Sequence, residues 1–398
     1  EMFRQPNLAA TLRALVSAER AALARGAGRA KAIEAGRDVF YKGDVGKRIA
    51  AAVQADGGLM RHEDLANYQG RLEEPLTTRF AGYDIHKAGF WSQGPALLMT
   101  LNILDAAGIQ RMRHNSADYL HTLTEAIKLA FDDRNAWFGD PLHVEVPAEG
   151  LLSKSYAAER AKLIGQQASM EHRYGNPHAH QRGGRAPRVR FEPRQLRRPG
   201  DPTADTTAIE VVDAKGNLFS CTPSSGWLMG GAYIAGDTGV PMSNRLTVFD
   251  LDPASPNVLA GGKRPRTTLT PSIVTRDGKP FMAVGTPGGD SQDQHILQTL
   301  LNVILGGYNL QQALEAPRLQ SVHFHASFAE KRELPGMLEI ESRFGADIIT
   351  SLMRRGHRVS VVGSYDIETA GVAVGLDPRY GTLRGGADIR GERQVFGW

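Results

Sequence analysis

A break in periodicity near the middle of the chain limits its fold more than any other feature. Residues 168–204 carry neither a helical nor a strand period. Structureless stretches of that length inside a compact domain are usually functional, cleaved or disordered. Ahead of the break, apolar residues recur at helical spacing in "NLAATLRALVSAERAALARG" (7–26), "VGKRIAAAVQADGG" (45–58), "GPALLMTLNILDAAG" (94–108) and "SADYLHTLTEAIKLAFDDR" (116–134). The last of these has Ser116 placed as an N-cap and Leu120, Leu123, Ile127 and Phe131 on one face. His121 and Glu125 then read as a helix-surface pair one turn apart. "LTTRFAGYDIHKA" (76–88) is the one clear strand pair in this half, turning at Gly82.

After the break, strands come in pairs. "TTAIEVVD" (206–213) and "LFSCTPSS" (218–225) flank a turn at 214–217. "PSIVT" (271–275) and "PFMAVGT" (280–286) flank one at 276–279, and "GVAVGLD" (371–377) and "TLRGGAD" (382–388) flank one at 378–381. Apolar helices are expected over 291–305 and in "ADIITSLMRRGH" (346–357). Hairpin-joined strands make antiparallel sheets that helices cover on their outer faces, so the class expected is α+β. Three parts follow: a helix-rich part at 1–167, a linker at 168–205 and a sheet-rich part at 206–398.

The linker is basic. Between residues 170 and 200 stand eight arginines (Arg173, Arg182, Arg185, Arg188, Arg190, Arg194, Arg197, Arg198) against Glu171 and Glu192, in a chain whose net charge is only +4. Such a cluster can bind nucleic acid, but Pro and Gly lace it and no nucleic-acid fold surrounds it, so a solvated linker is the expectation. No apolar run reaches the about 18–20 residues that a bilayer-spanning helix needs, and no membrane span is expected. Cys221 is the single cysteine, so no intrachain disulfide forms. It reads as a small buried hydrophobe in mid-strand.

Two constellations could carry chemistry. Thr206 and Thr207 follow Asp205 where the linker ends and the first strand begins. Read alone, they are the start of a strand. If the chain were cut after Asp205, Thr206 would gain an α-amine of reference pKa about 7.7–8.0, and one residue would hold both nucleophile and base. The second is "GTPGGDSQDQ" (285–294), where Gly288 and Gly289 close a strand and open a helix that Asp290 or Ser291 could cap. Backbone N–H groups freed by glycine at a helix start suit an oxyanion. A plain glycine-rich turn is the alternative, and a phosphate loop lacks its Lys-Ser/Thr. "HAH" (178–180) and "HFH" (323–325) look like metal-ligand pairs but have no acidic or Cys neighbours in sequence, so linker and strand histidines are expected and no metal.

"DTTAIEVVDAKGN" (205–217), "GKRPRTTLTPSIV" (262–274) and "GTPGGDSQ" (285–292), in that order, resemble the small subunit of the γ-glutamyltranspeptidases, which are N-terminal nucleophile hydrolases. "FYKGDVGKRIA", "HEDLANYQGRLEEP" and "EAIKLAFDDR" resemble the large subunit. The resemblance implies a four-layer α/β/β/α sandwich, autocatalytic cleavage between Asp205 and Thr206, and an acyl-enzyme on Thr206 formed from a γ-glutamyl amide such as glutathione. Water or an amine acceptor would release the acyl group, without a cofactor. Gly288 and Gly289 fall on the oxyanion glycines, Ser224 on a threonine that supports the nucleophile, and Thr267 and Thr268 on a serine pair that contacts the substrate carboxylate. Gly226 stands where an Asn is usual, Arg245 where a Gln is usual, and Val248 where an Asp reads the substrate's α-amine. Arg245 could itself bind a substrate carboxylate, and Asp237 or Asp250 could replace the absent Asp. The departures favour, as the alternative, an acylase acting on an acid without that amine. A non-catalytic, uncleaved scaffold is the third reading. The implied partners are a small amide, an amine acceptor and the two subunits of one precursor, with a homo-oligomer left open. Family members carry a further N-terminal segment supplying an arginine for the carboxylate, and no counterpart is identified here.

Overall fold

The computed structural model describes residues 2, 4–183, 206–226, 231, 233–328, 331, 333–367, 369–377 and 379–398. Asp205, the linker beyond Gly183 and Pro378 of the last hairpin turn lie outside the described residues. The chain divides into two compact units, Glu1–Leu72 with Ser225–Asn244, and Glu73–Ser224 with Arg245–Trp398.

The first unit is helical. Pro6 opens α1 (Pro6–Ala24), where a missing N–H costs nothing, and α2 (Arg29–Tyr41) packs back along it. α3 (Asp44–Ala55) and the short α4 (His62–Ala66) follow. Val45 and Ile49 of α3 bury against Ala235 from the later segment. Thr11 Oγ1 donates to Thr238 O at 2.7 Å, and Arg48 pairs with Asp237 at 2.5 Å. Asp237 is therefore already matched within this unit.

The second unit is built on a six-stranded antiparallel sheet of order β1-β2-β5-β6-β10-β11. β1 (Leu76–Phe80) and β2 (Tyr83–Lys87) are the expected hairpin at Gly82. β5 (Ser272–Arg276) and β6 (Lys279–Gly285) turn on Asp277 and Gly278, both at positive φ, as a two-residue hairpin turn requires. β10 (Val372–Leu376) and β11 (Leu383–Ala387) form the third pair. Sequence patterning does not reveal the joint between β2 and β5, where Ile85 pairs with Val274. A separate hairpin, β3 (Ile209–Val212) with β4 (Leu218–Cys221), starts three residues after Thr206.

Alternation along β6 explains the layers. Met282 and Val284 point into the apolar core with Val274, Ala373 and Leu314. Gly285 faces the other way, where Ala208 and Glu210 of the β3 segment lie against it. The core side is covered by α5 (Gly94–Ala106), α9 (Gln292–Ile304) and α10 (Leu310–Glu315), with α6 (Ala117–Trp137), α7 (Ala148–Leu152) and α8 (Lys154–Ala161) packed against α5. Leu97, Leu98, Leu101 and Leu104 of α5 are at most 1% exposed. Each contributes about 1.5–3 kcal/mol by burial. Ser116 caps α6 by accepting from Tyr119 N at 3.3 Å, as its position predicts. A second small sheet holds β7 (Leu319–Ser321), β8 (Met337–Glu341) and β9 (Arg358–Val362), with α11 (Ala346–Arg354) crossing between the parallel β8 and β9.

Two expectations need correction. His121 and Glu125 are not on a surface, because α6 is buried on all sides from Tyr119 to Asn135. Cys221 is the last residue of β4, not its middle, and is only half-buried.

Candidate active site

The second unit gathers most of the sequence candidates. Thr206 is buried just ahead of β3, and Thr207 N extends the hairpin ladder by donating to Pro223 O at 3.1 Å. That rung sets Thr206 beside Ser224, and Thr206 Oγ1 donates to Ser224 Oγ at 3.0 Å. Arg393, from the C-terminal segment, reaches the same place: Nη1 donates to Thr207 Oγ1 at 3.2 Å and Nη2 to Thr206 O at 3.5 Å. Sequence reasoning missed Arg393, since nothing local distinguishes it from the surface arginines.

The glycine turn lies at the same end of the sheet. Gly285 ends β6 against Ala208, two residues past Thr206, and three residues later the chain reaches Gly288. Gly288 has φ +121° and Gly289 +55°, conformations that favour glycine. A Cβ on Gly288 would also collide with Thr369. The turn is a 3-10 stretch, Gly289–Ser291, and α9 begins after it at Gln292. Neither expected cap acts as one. Ser291 makes no side-chain cap bond, and Asp290 accepts from Ser327 N at 2.7 Å, from Ser327 Oγ at 2.6 Å and from Arg134.

Thr267 and Thr268 are tied to this turn by two glutamines, both with essentially no exposure. Gln93 N donates to Thr267 O at 2.8 Å, while Gln93 Nε2 donates to Gly289 O at 3.0 Å. The Gln292 amide is satisfied when its nitrogen donates to Thr268 O (3.1 Å) and Thr286 O (3.2 Å) and its oxygen accepts from Gly289 N (3.3 Å). Arg245 then donates to Thr268 Oγ1 at 3.3 Å and sits over the Phe328 ring. Burial pushes its guanidinium down to about 10, which leaves it charged at neutral pH.

The position expected to read a substrate amine offers no anion. Val248 is fully buried, and its carbonyl accepts from Asn257 and from Lys331 Nζ at 2.6 and 2.8 Å. Burial lowers Lys331 to about 8, against the pull of Asp250. Asp250 is committed elsewhere: Ser255 Oγ donates to it at 2.6 Å, and Lys331 and His325 stand at 3.7 and 3.8 Å. Gly226 belongs to the first unit, where its φ of +105° disfavours any side chain and a Cβ would displace the end of the Asn244 side chain.

Among the described residues, two side-chain groups have the composition of a metal site, His121–Glu125–His357 and Asp132–His172–His323. Their hydrogen bonds argue otherwise. His121 Nε2 lies 2.8 Å from Gly165 O and must donate, so its Nδ1 accepts from His357 Nε2 at 2.8 Å. Glu125 already accepts from Lys128 at 2.6 Å and Arg173 at 2.8 Å. His323 Nδ1 accepts from Gly336 N at 2.9 Å, which places the proton on the ring nitrogen that would face an ion. Burial opposes charge on His172, but Asp132 at 2.7 Å and Glu333 at 3.4 Å outweigh it and raise it to about 10. The "HFH" histidines thus have acidic neighbours after all, Glu333 eight residues beyond His325 and Asp250 and Asp132 from far along the chain, and they lie outside strands. His178 and His180 form a 3-10 turn in which His180 meets Glu159 at 2.9 Å.

Comparison with known proteins supplies the context for this geometry. The Gamma-glutamyltranspeptidase family profile matches residues 1–398. The Glutathione hydrolase-like YwrD proenzyme of Bacillus subtilis (strain 168) is 34% identical over 365 residues, 92% of this chain and 63% of that protein. Among solved structures, LmbA2991HD superposes with a TM-score of 0.86 at 38% identity, covering 98% of this chain and 67% of the other. The cephalosporin acylase from Bacillus halodurans gives 0.76 at 32% identity, covering 93% and 61%. The chain spans about six tenths of the length of the curated relatives it matches. It belongs to the γ-glutamyltranspeptidase family.

Proposed function

We propose that the chain is the catalytic part of an autoprocessed amide hydrolase or acyltransferase in which Thr206 is the nucleophile. The observation that carries this reading is Thr206 at the head of β3, hydrogen-bonded to Ser224, at the sheet end where Gly288 and Gly289 turn. Cleavage after Asp205 divides the precursor into a part ending at residue 205 and a part running from 206 to 398. The freed α-amine takes the hydroxyl proton as Thr206 Oγ1 attacks the amide carbonyl. N–H groups of Gly288 and Gly289 hold the oxyanion, where one such donor is worth about 2.7–4 kcal/mol. The amine then passes its proton to the leaving nitrogen, and water or an acceptor amine frees the acyl group. The helices, the six-stranded sheet and the β3–β4 hairpin on its opposite face supply three layers of the four-layer α/β/β/α sandwich that the family resemblance implies.

By family, the acyl group is γ-glutamyl, as in glutathione. A second reading is favoured by Val248, which is buried with Lys331 on its carbonyl, and by the buried cation Arg245 at Thr268. A substrate ammonium here would lose a charge-assisted hydrogen bond worth about 1.5–3 kcal/mol. An acid without the α-amine, of the glutaryl type, meets no such loss. A substrate pair decides between them: γ-glutamyl-p-nitroanilide and its des-amino glutaryl analogue, assayed with wild type and Thr206→Ala. Thr206→Ala is expected to remain one band on a denaturing gel and to turn over neither compound. Persistent cleavage and turnover in that variant would remove Thr206 from the mechanism, and a strong γ-glutamyl preference in wild type would remove the second reading.

A further inference from the structure

We infer that Gln292, together with Gln93, is the positioning pair that sets the register between the oxyanion turn and the segment that receives the acyl group's carboxylate. The inference rests on the function proposed above and adds to it two residues and a device for specificity. Five backbone groups are involved: the two side-chain amides reach four of them, and the Gln93 main-chain N–H reaches the fifth, Thr267 O. Gln292 joins Thr268 O and Thr286 O to Gly289 N, and Gln93 joins Thr267 O to Gly289 O. Both polar ends of the Gly289 peptide segment are thus tied to the Thr267–Thr268 segment, from opposite directions along the chain.

The clamp is braced from behind. Arg134 Nη1 donates to Gln93 Oε1 at 3.0 Å and also reaches Asp290, so Gln93 cannot turn its amide over without losing both bonds. Gln292 and Gln93 are each fully buried, where an unpaired amide costs about twice what it gains when paired. Glycine at 288 and 289 gives the turn freedom it would not otherwise have, so something outside the turn must fix its position. At 3.3 Å the Gln292 oxygen is a weak acceptor for Gly289 N–H. A developing oxyanion is a stronger one, and the long contact leaves the Gly289 N–H to be shared with it in a three-centre bond.

The consequence is a link between specificity and rate. When the acyl carboxylate docks at Thr267–Thr268, its distance to the reacting carbonyl is fixed by the substrate, and the distance to Gly289 is fixed by the glutamines. Only a substrate with a carboxylate at the right span satisfies both. A misplacement of about 1 Å at such a site can cost on the order of 100-fold in rate.

The test uses Gln292→Met and, as an independent cut of the same clamp, Gln93→Met. Each is assayed with the faster of γ-glutamyl- and glutaryl-p-nitroanilide and with butyryl-p-nitroanilide, which lacks the carboxylate. Subunit bands and circular dichroism report folding, and Gln93→Met carries the test should Gln292→Met not fold. We expect kcat/KM for the carboxylate substrate to fall about 10- to 100-fold, through kcat more than KM, and that for the butyryl compound, which loses only the aim of the oxyanion donor, to fall by a factor at least about threefold smaller. The wild-type preference would collapse. Equal losses on both substrates would overturn the inference while leaving Thr206 in place, as would a wild type that does not prefer the carboxylate. Turnover surviving in Thr206→Ala would instead remove the function beneath it.

Discussion

Cutting the chain after Asp205 would turn Thr206 into a chain end, and chain ends fray unless tied. Two ties besides the hairpin rung come from Arg393, at 3.2 Å to Thr207 Oγ1 and 3.5 Å to Thr206 O. A hydrogen bond from a charged donor is worth about 1.5–3 kcal/mol at good geometry. Both contacts are long and the side chain is half-buried, so we discount the pair to about 1–2 kcal/mol in total. Arg393→Met should therefore lower kcat/KM by about 5- to 30-fold, and Arg393→Lys, which keeps the charge with fewer donors, should fall between. In the cleaved form we propose, the cation would also disfavour protonation of the neighbouring α-amine, so its removal should move the acid limb of the kcat/KM profile to higher pH in Met but not in Lys. The assay is hydrolysis of the better anilide substrate across pH, with the melting temperature measured in parallel. Activity within twofold of wild type, or a loss that simply tracks melting temperature with an unmoved acid limb, would refute this account of Arg393.

Other substitutions probe neighbouring contacts. Ser224→Ala removes one neutral hydrogen bond to Thr206, the proposed nucleophile, and should lower kcat about 2- to 12-fold, equivalent to about 0.5–1.5 kcal/mol, whereas Ser224→Thr should keep most of it. Lys87 is fully buried and meets Asp293 at 2.9 Å, so Lys87→Met leaves a buried carboxylate unpaired and should cost about 3–5 kcal/mol by urea unfolding. Burial raises Glu210 to about 9 in the fold, from an ordinary value near 4.5. Its sign is fixed: the stabilising protonated form is matched in the unfolded chain below pH 4.5, and stability is lost as pH rises from there through 9. The loss is at most about 1.4 kcal/mol per pH unit. Glu210→Gln should accordingly be more stable than wild type at pH 8 and level with it at pH 4, and a constant difference across that range would contradict the assignment.

What the sequence made legible divides along physical lines. Turns are local, and the pairs around Gly82, around 214–217 and around Asp277–Gly278 appear where their turn residues place them. A cap is equally local, and Ser116 acts as read. Pairings between distant strands are not local, and neither β2 against β5 nor the parallel β8 and β9 left a signal in any window of the chain. Periodicity also misjudged α6. It assumes that polar residues face water, yet His121, Glu125, Lys128, Asp132 and Asp133 are all buried and are satisfied by partners such as His357, Arg173, His172 and Arg160. The same limit governs the site. Hydroxyl and glycine positions could be matched one by one, but the amides of Gln93 and Gln292 act on backbone groups that only folding brings near them.

Asp290 illustrates why this limit matters for chemistry. As a helix cap it would have been a local device, replaceable by any short polar residue. Its carboxylate instead receives the Ser327 backbone and hydroxyl and the buried guanidinium of Arg134, which also holds Gln93. Burial alone would push that carboxyl up, yet Arg134 and Ser327 hold it below its usual range. A charged residue in the glycine turn therefore anchors the turn to the rigid α6 rather than to its own helix. Rigidity of this kind is what a backbone oxyanion site requires, because donors that must reorganise as charge develops lose most of their advantage. The glycines give the turn its shape, and residues far away in sequence keep it there.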